Sequence, residues 1–330
     1  MTTASATGIG SMPGEDFAES LRVVLGEVPE LSFLPELPAR GVTAGMTGRT
    51  LAVVADLGFD LQPAGWRLTD APGIDHRRAR SLLAQDLDAL EEQADGFAGE
   101  LKVAVGGPWT LAATVERPRG DRLLADFGAR RELAQALAEG IAQHVADLRR
   151  RVPGARLVVQ VDEPALGAVL AARVPTSSGF GRHRSVHVPV ASQALEDVFT
   201  AIAASGATSV AHCCAADIPI ALLAGAGAQG ISLDLDVLAA EAYDDLGTVL
   251  DTGGRVLLGV VPATDPVRLP TEQQVVDRVL RLLDMLGFDL DDVAGQLVLT
   301  PACGLAGASP GYARTALSLL RDSAARFATG

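Results

Sequence analysis

Eight short apolar runs, each closed by turn-forming residues, recur along the chain: "TGIGSMP", "LSFLPEL", "LKVAVGGP", "RLVVQVDEPAL", "TSVAHCCA", "GISLDLD", "RVLLGVVP" and "QLVLTPACG". Most are near-continuous rather than alternating, the pattern of strands buried on both faces. Segments with helical spacing separate most of them. The clearest is Thr271 to Leu286, where Thr271 and Gln274 have the spacing of a capping box and Gly287 follows the last turn. Its apolar stripe is expected to be Val275, Val276, Val279, Leu280, Leu283 and Leu286. Buried strands alternating with amphipathic helices make a parallel sheet, and eight such units predict an α/β fold, a single (β/α)8 barrel over residues 1–330.

Two connections are longer than a barrel requires. Residues 41–100 predict two helical stretches around "FDLQPAGWRLTDAPG", an excursion or hairpin over the barrel mouth. Residues 173–190, "RVPTSSGFGRHRSVHVPV", predict a Gly/Ser-rich loop after the fourth strand, carrying Arg182, His183, Arg184 and His187. It is either a lid or a solvated loop.

Charge narrows the partners. Twenty-seven basic against 41 acidic residues give a net charge of −14, which repels nucleic acid and anionic membrane surfaces and leaves a small molecule as the expected ligand. No apolar run reaches the roughly 18 residues of a membrane helix, and the start, "MTTAS", has no basic region leading into an apolar one, so a cytoplasmic location is expected. Three cysteines suit a metal or catalytic role better than a disulfide framework. Lys102 is the only lysine. Its place at the beginning of a strand predicts a role in stability rather than catalysis.

Two of the three cysteines stand side by side in "VAHCCA". Because strand side chains alternate, His212 and Cys214 share one face and Cys213 takes the other. Cys213 is then a small buried residue among the helices, while His212 and Cys214 project into the mouth. "GISLDLD" brings Asp234 to the same end, and "LVLTPACG" brings Cys303. One nitrogen, one oxygen and two sulfurs make a tetrahedral set suited to zinc and poorly suited to magnesium or calcium. Asp236 has the same parity as Asp234 and is the alternative carboxylate. The other reading of these residues is a core histidine with small hydrophobic cysteines.

Taken together, "GIGSMP", "QVDEPAL", "HCC", "ISLD" and "TPACGLA" resemble the catalytic barrel of cobalamin-independent methionine synthase, over nearly the whole chain from Ile9 to Leu305. The resemblance implies that His212, Cys214, Asp234 and Cys303 hold zinc, with Asp234 where the family has a glutamate. It also implies that Ile9, Gly10 and Ser11 hold the carboxylate of an amino-acid substrate, and that Asp162 and Glu36 hold its ammonium group. Asp162 is thereby the expected catalytic residue. Donors at one end and carboxylates at the other suit a zwitterion. The implied reaction is methyl transfer to the thiolate of homocysteine, giving methionine.

Two departures bear on the methyl donor. The chain is about half the length usual in that family and holds one barrel, and Thr264 stands where the family has a histidine associated with proton delivery to folate. A folate nitrogen leaves poorly without a proton, so a methylated corrinoid, as methylcobalamin or a corrinoid protein, is expected to serve better than methyl-folate. "GGPWTLA", Gly106 to Ala112, is either a turn after the third strand or a link to the wider superfamily of uroporphyrinogen decarboxylase and corrinoid-dependent thiol methyltransferases. Other readings are corrinoid-dependent transfer to another small thiol, a zinc hydrolase or lyase, and a non-catalytic thiol- or metal-binding protein.

Overall fold

The computed structural model describes residues 3–328. Its main sheet has eight parallel strands: β1 (Ser5–Ala6), β2 (Leu31–Phe33), β5 (Glu100–Gly106), β6 (Arg156–Asp162), β7 (Thr208–Cys213), β8 (Gly230–Asp234), β9 (Arg255–Val261) and β10 (Leu297–Pro301). The order β1-β10-β9-β8-β7-β6-β5-β2 puts the first two strands at the two ends of the sheet. The seam between them is closed just beyond the strands, where Met12 N–H donates to Glu36 O (2.8 Å) and Glu36 N–H donates to Gly10 O (3.0 Å). The fold is an α/β (β/α)8 barrel.

Two apolar layers build it. Leu31, Val158, Val210, Leu257 and Val298 fill the barrel interior, while residues of the opposite parity, among them Val159, Val161, Ala211, Cys213 and Leu233, pack under the surrounding helices. The helix Glu272–Leu286 has its capping box and left-handed Gly287, as its sequence predicts. Its stripe is corrected in one place: Leu282 is buried and Leu280 is 39% exposed.

The first strand also differs from expectation. "TGIGSMP" follows β1 rather than forming it, because Gly8 lets the backbone run against the Phe33 ring, where a Cβ would lie 2.5 Å from ring carbons. In the 41–100 excursion the helices Met46–Val53 and Ile74–Gln93 flank an antiparallel hairpin, β3 (Gly58–Gln62) and β4 (Gly65–Thr69). The hairpin joins the barrel through Glu116, whose carbonyl accepts from Leu68 N–H (2.8 Å) and whose carboxylate binds Arg67. The 173–190 loop is tied down at His183, which is 8% exposed and lies 3.1 Å from Asp121 Oδ1. Among the described residues no helix is long and apolar enough to cross a membrane.

Candidate active site

The C-terminal ends of the strands carry the polar residues. Across neighbouring strands Asp162 pairs with His212, and His212 with Ser232, so three polar side chains face one another in adjacent positions. His212 Nδ1 lies 2.9 Å from Ser232 Oγ, which orients the ring and leaves Nε2 for the mouth. Cys214 follows on the same face, and Cys213 turns away with 1% exposure. Cys303 arrives two residues after β10, whose register against β9 slips between Thr300 and Pro301. Such a bulge re-aims the residues that follow it. Gly259 lets the strand ends close in, since a Cβ there would lie 2.8 Å from Ala302 Cα and 3.1 Å from Asp234 Cα.

The result is a compact donor group. One ligand atom each from His212, Cys214 and Cys303 lie within 4.8 Å of one another, and the two sulfurs are 3.0 Å apart. The Cys214 thiol, with the His212 ring, pulls Cys303 down to about 4, while the same contact and burial raise Cys214. A thiolate beside a thiol and an imidazole is a donor set that fits a soft, borderline cation such as zinc.

Asp234 does not join the three. Its Oδ1 accepts from Asp236 N–H (2.9 Å), and Asp236 itself is exposed and ion-paired with Arg278. The carboxyl of Asp234 is nonetheless raised by burial, and Asp236 and Cys303 add to that, so it stands close to the group.

Beside the donor group lies a buried charged chamber, with Asp162 paired to His212 across β6 and β7. Asp162 is 7% and Glu36 6% exposed. Burial raises both carboxyls, Glu36 to about 7, against the pull of His212 on Asp162 and of Arg49 on Glu36. Arg49 lies 3.6 Å from Glu36 and 2.6 Å from Asp86, which also binds Arg40. Ser11 sits on the seam and its carbonyl accepts from Leu305 N–H (2.8 Å). Gly304 leaves room for the Ser11 hydroxyl as it stands, since a Cβ would lie 2.0 Å from Ser11 Oγ. The structure thus gathers Ile9, Gly10, Ser11, Glu36 and Asp162 at one side of the mouth.

Sequence reasoning missed what holds them. Lys102 is wholly buried inside the barrel, its Nζ donating to Ile9 O and Gln160 Oε1, both at 2.6 Å. Gln160 Nε2 donates to Ile9 O (3.0 Å) and to Asp162 Oδ1 (2.8 Å). Glu163, next in "QVDEPAL", accepts from Trp109 N–H (2.9 Å), Thr110 N–H (2.8 Å) and Thr110 Oγ1 (2.7 Å). "GGPWT" therefore leads from β5 straight into the helix Pro108–Thr114, whose N-terminus is capped by Glu163 just after β6, and a Cβ on Gly107 would lie 2.3 Å from the Glu163 carboxylate. Thr264 is exposed.

Residues 101–326 match the family described as "Cobalamin-independent synthase, Catalytic domain". The chain belongs to that family. No curated protein matches it by sequence. Among solved structures it is similar to a B12-independent methionine synthase from Shewanella sp. W3-18-1 in complex with selenomethionine, at 14% identity and a TM-score of 0.62, covering 99% of this chain and 98% of that one. It also resembles a Cellulomonas fimi endo-beta-1,4-mannanase double mutant, at 14% identity and a TM-score of 0.49 over 98% of this chain and 70% of that one. At 14% identity the likeness to the Shewanella protein shows the fold alone. His212, Cys214, Cys303 and Asp162 all fall within the matched span.

Proposed function

We propose that residues 1–330 form one catalytic domain, a cytoplasmic zinc-dependent S-methyltransferase that converts homocysteine to methionine. The observation that carries this is the pairing of a His–Cys–Cys donor group with a buried carboxylate chamber at one barrel mouth. His212, Cys214 and Cys303 would hold zinc, with Asp234 as fourth ligand once its bond to Asp236 N–H is released, and Asp236 as the alternative. Zinc, when bound, lowers the pKa of a coordinating thiol and so supplies a thiolate at neutral pH. Asp162 and Glu36 bind the ammonium group of the amino acid, and the Ile9–Ser11 backbone with the Ser11 hydroxyl receives its carboxylate. Holding both ends fixes the position of the sulfur and excludes thiols that lack them. The bound selenomethionine of the Shewanella protein, a selenium analogue of the proposed product, supports this choice of substrate.

The donor has two readings. The family's description as cobalamin-independent favours methyl-folate. The exposed Thr264 favours a methylated corrinoid, because it supplies no proton to a leaving folate nitrogen. Offering methyl-folate and methylcobalamin separately tests this, with Thr264→His expected to raise folate turnover and leave corrinoid turnover unchanged. The metal is tested by zinc content. We expect about one zinc per chain, lost in Cys214→Ser and Cys303→Ser and kept in Cys213→Ser. Equal loss in all three would overturn the ligand assignment.

A further inference from the structure

The chain's only lysine is 0% exposed and lies inside the barrel among carboxylates and carbonyls. A buried ammonium carries a large desolvation penalty, so its retention needs a reason. We propose that Lys102 is a positioning residue that serves both ends of a zwitterionic amino-acid substrate, polarising the Ile9–Gly10 peptide for the carboxylate and fixing Asp162 through Gln160 for the ammonium. The substrate part of this inference rests on the function proposed above.

The ammonium end follows from the hydrogen-bond inventory. Lys102 offers donors only, so the side-chain atom of Gln160 that faces it at 2.6 Å must be the oxygen. The amide nitrogen is then directed to Asp162 Oδ1 at 2.8 Å and Ile9 O at 3.0 Å. Without the ammonium the amide oxygen loses its charged donor, and the hold that sets the amide nitrogen against Asp162 Oδ1 and Ile9 O slackens. Asp162 is thus held with one oxygen occupied and the other left for the substrate.

The carboxylate end follows from the peptide itself. Ile9 O accepts two donors, one of them charged, at 2.6 and 3.0 Å. An amide is one conjugated unit, so drawing electrons toward its oxygen makes the N–H at its other end a stronger donor. That N–H belongs to Gly10, which is buried beside Glu36. Among the described residues it has no hydrogen-bond partner. It is therefore available to a bound carboxylate.

Lys102→Met removes the charge and the ammonium while keeping the rest of the side chain's length. In the zinc-loaded protein it should weaken homocysteine by about tenfold to hundredfold, the effect of losing a charge-assisted donor, and leave 1-propanethiol and zinc content unchanged. A direct readout needs no ligand. Ile9–Gly10 is the only Ile–Gly pair in the sequence, so [1-13C]Ile with [15N]Gly labelling isolates this one peptide, and its carbonyl resonance should move upfield in Lys102→Met. Should that variant fail to fold, Gln160→Leu, which keeps the ammonium but cuts its path to Asp162, should show the same selective loss of homocysteine. An unmoved Ile9 carbonyl, or equal weakening of both thiols, overturns the proposal. If the unmodified protein binds both thiols alike, it is the functional reading that falls, and the Ile9 carbonyl alone then decides the role of Lys102.

Discussion

Glu36 shows how one residue trades stability for binding. Burial raises its carboxyl from an ordinary 4.5 to about 7, with Arg49 opposing and Asp162 adding to the rise. Between those two values the folded state binds more protons than the unfolded one, so stability falls as pH rises from about 4.5 through 7. Glu36→Gln removes that loss and leaves Arg49 still paired with Asp86. Thermal unfolding should therefore show Glu36→Gln more stable than the unmodified chain at pH 8, with the difference gone near pH 5. The same variant should weaken homocysteine, because the uncharged amide no longer pairs with an ammonium. A variant less stable at pH 8 would mean that the Arg49 attraction outweighs burial. Asp162→Asn should weaken homocysteine far more than a thiol without an amino group; equal weakening would make Asp162 structural.

Among the elements, local pattern and tertiary contact divide the information. The helix Glu272–Leu286 was legible because a capping box, an apolar stripe and a terminal glycine all sit within its own sequence, and Thr271→Ala should lower stability by about 1 kcal/mol. Gly140 is the opposite case. It lies within the helix Phe127–Arg151, where propensity alone favours alanine by about 1 kcal/mol. Yet a Cβ there would lie 2.0 Å from Val53 O, on the helix Met46–Val53, so Gly140→Ala is expected to lower the unfolding midpoint. A raised midpoint would show that the helices can separate without loss. The strand ends divide in the same way. Parity placed His212 with Cys214 and set Cys213 apart, since alternation is a property of the strand. The Asp234–Asp236 turn, the reach of Lys102 up the barrel and the cap from Glu163 depend on partners from 2 to 93 residues away, which no periodicity encodes.

In the whole molecule, the barrel and the site share one seam. The eight apolar runs predicted the closed sheet, but β1 and β2 are short, and the contact that joins the two ends runs through Gly10, Met12 and Glu36, at the residues proposed to hold the substrate. Closing the barrel and building the chamber thus use the same residues, and the donor group on β7 and beyond β10 borders them, with Cys303 one residue before the Gly304 that packs on Ser11. The proposed function rests on the pairing of that donor group, proposed to hold zinc, with a wall proposed to hold the zwitterion. Methionine formation from homocysteine by the zinc-loaded chain, with methyl-folate and methylcobalamin offered separately, tests it most directly. We predict methionine with at least one donor and its loss in Cys303→Ser. Zinc-loaded protein that forms no methionine with either donor, or forms it equally well in Cys303→Ser, would contradict the account.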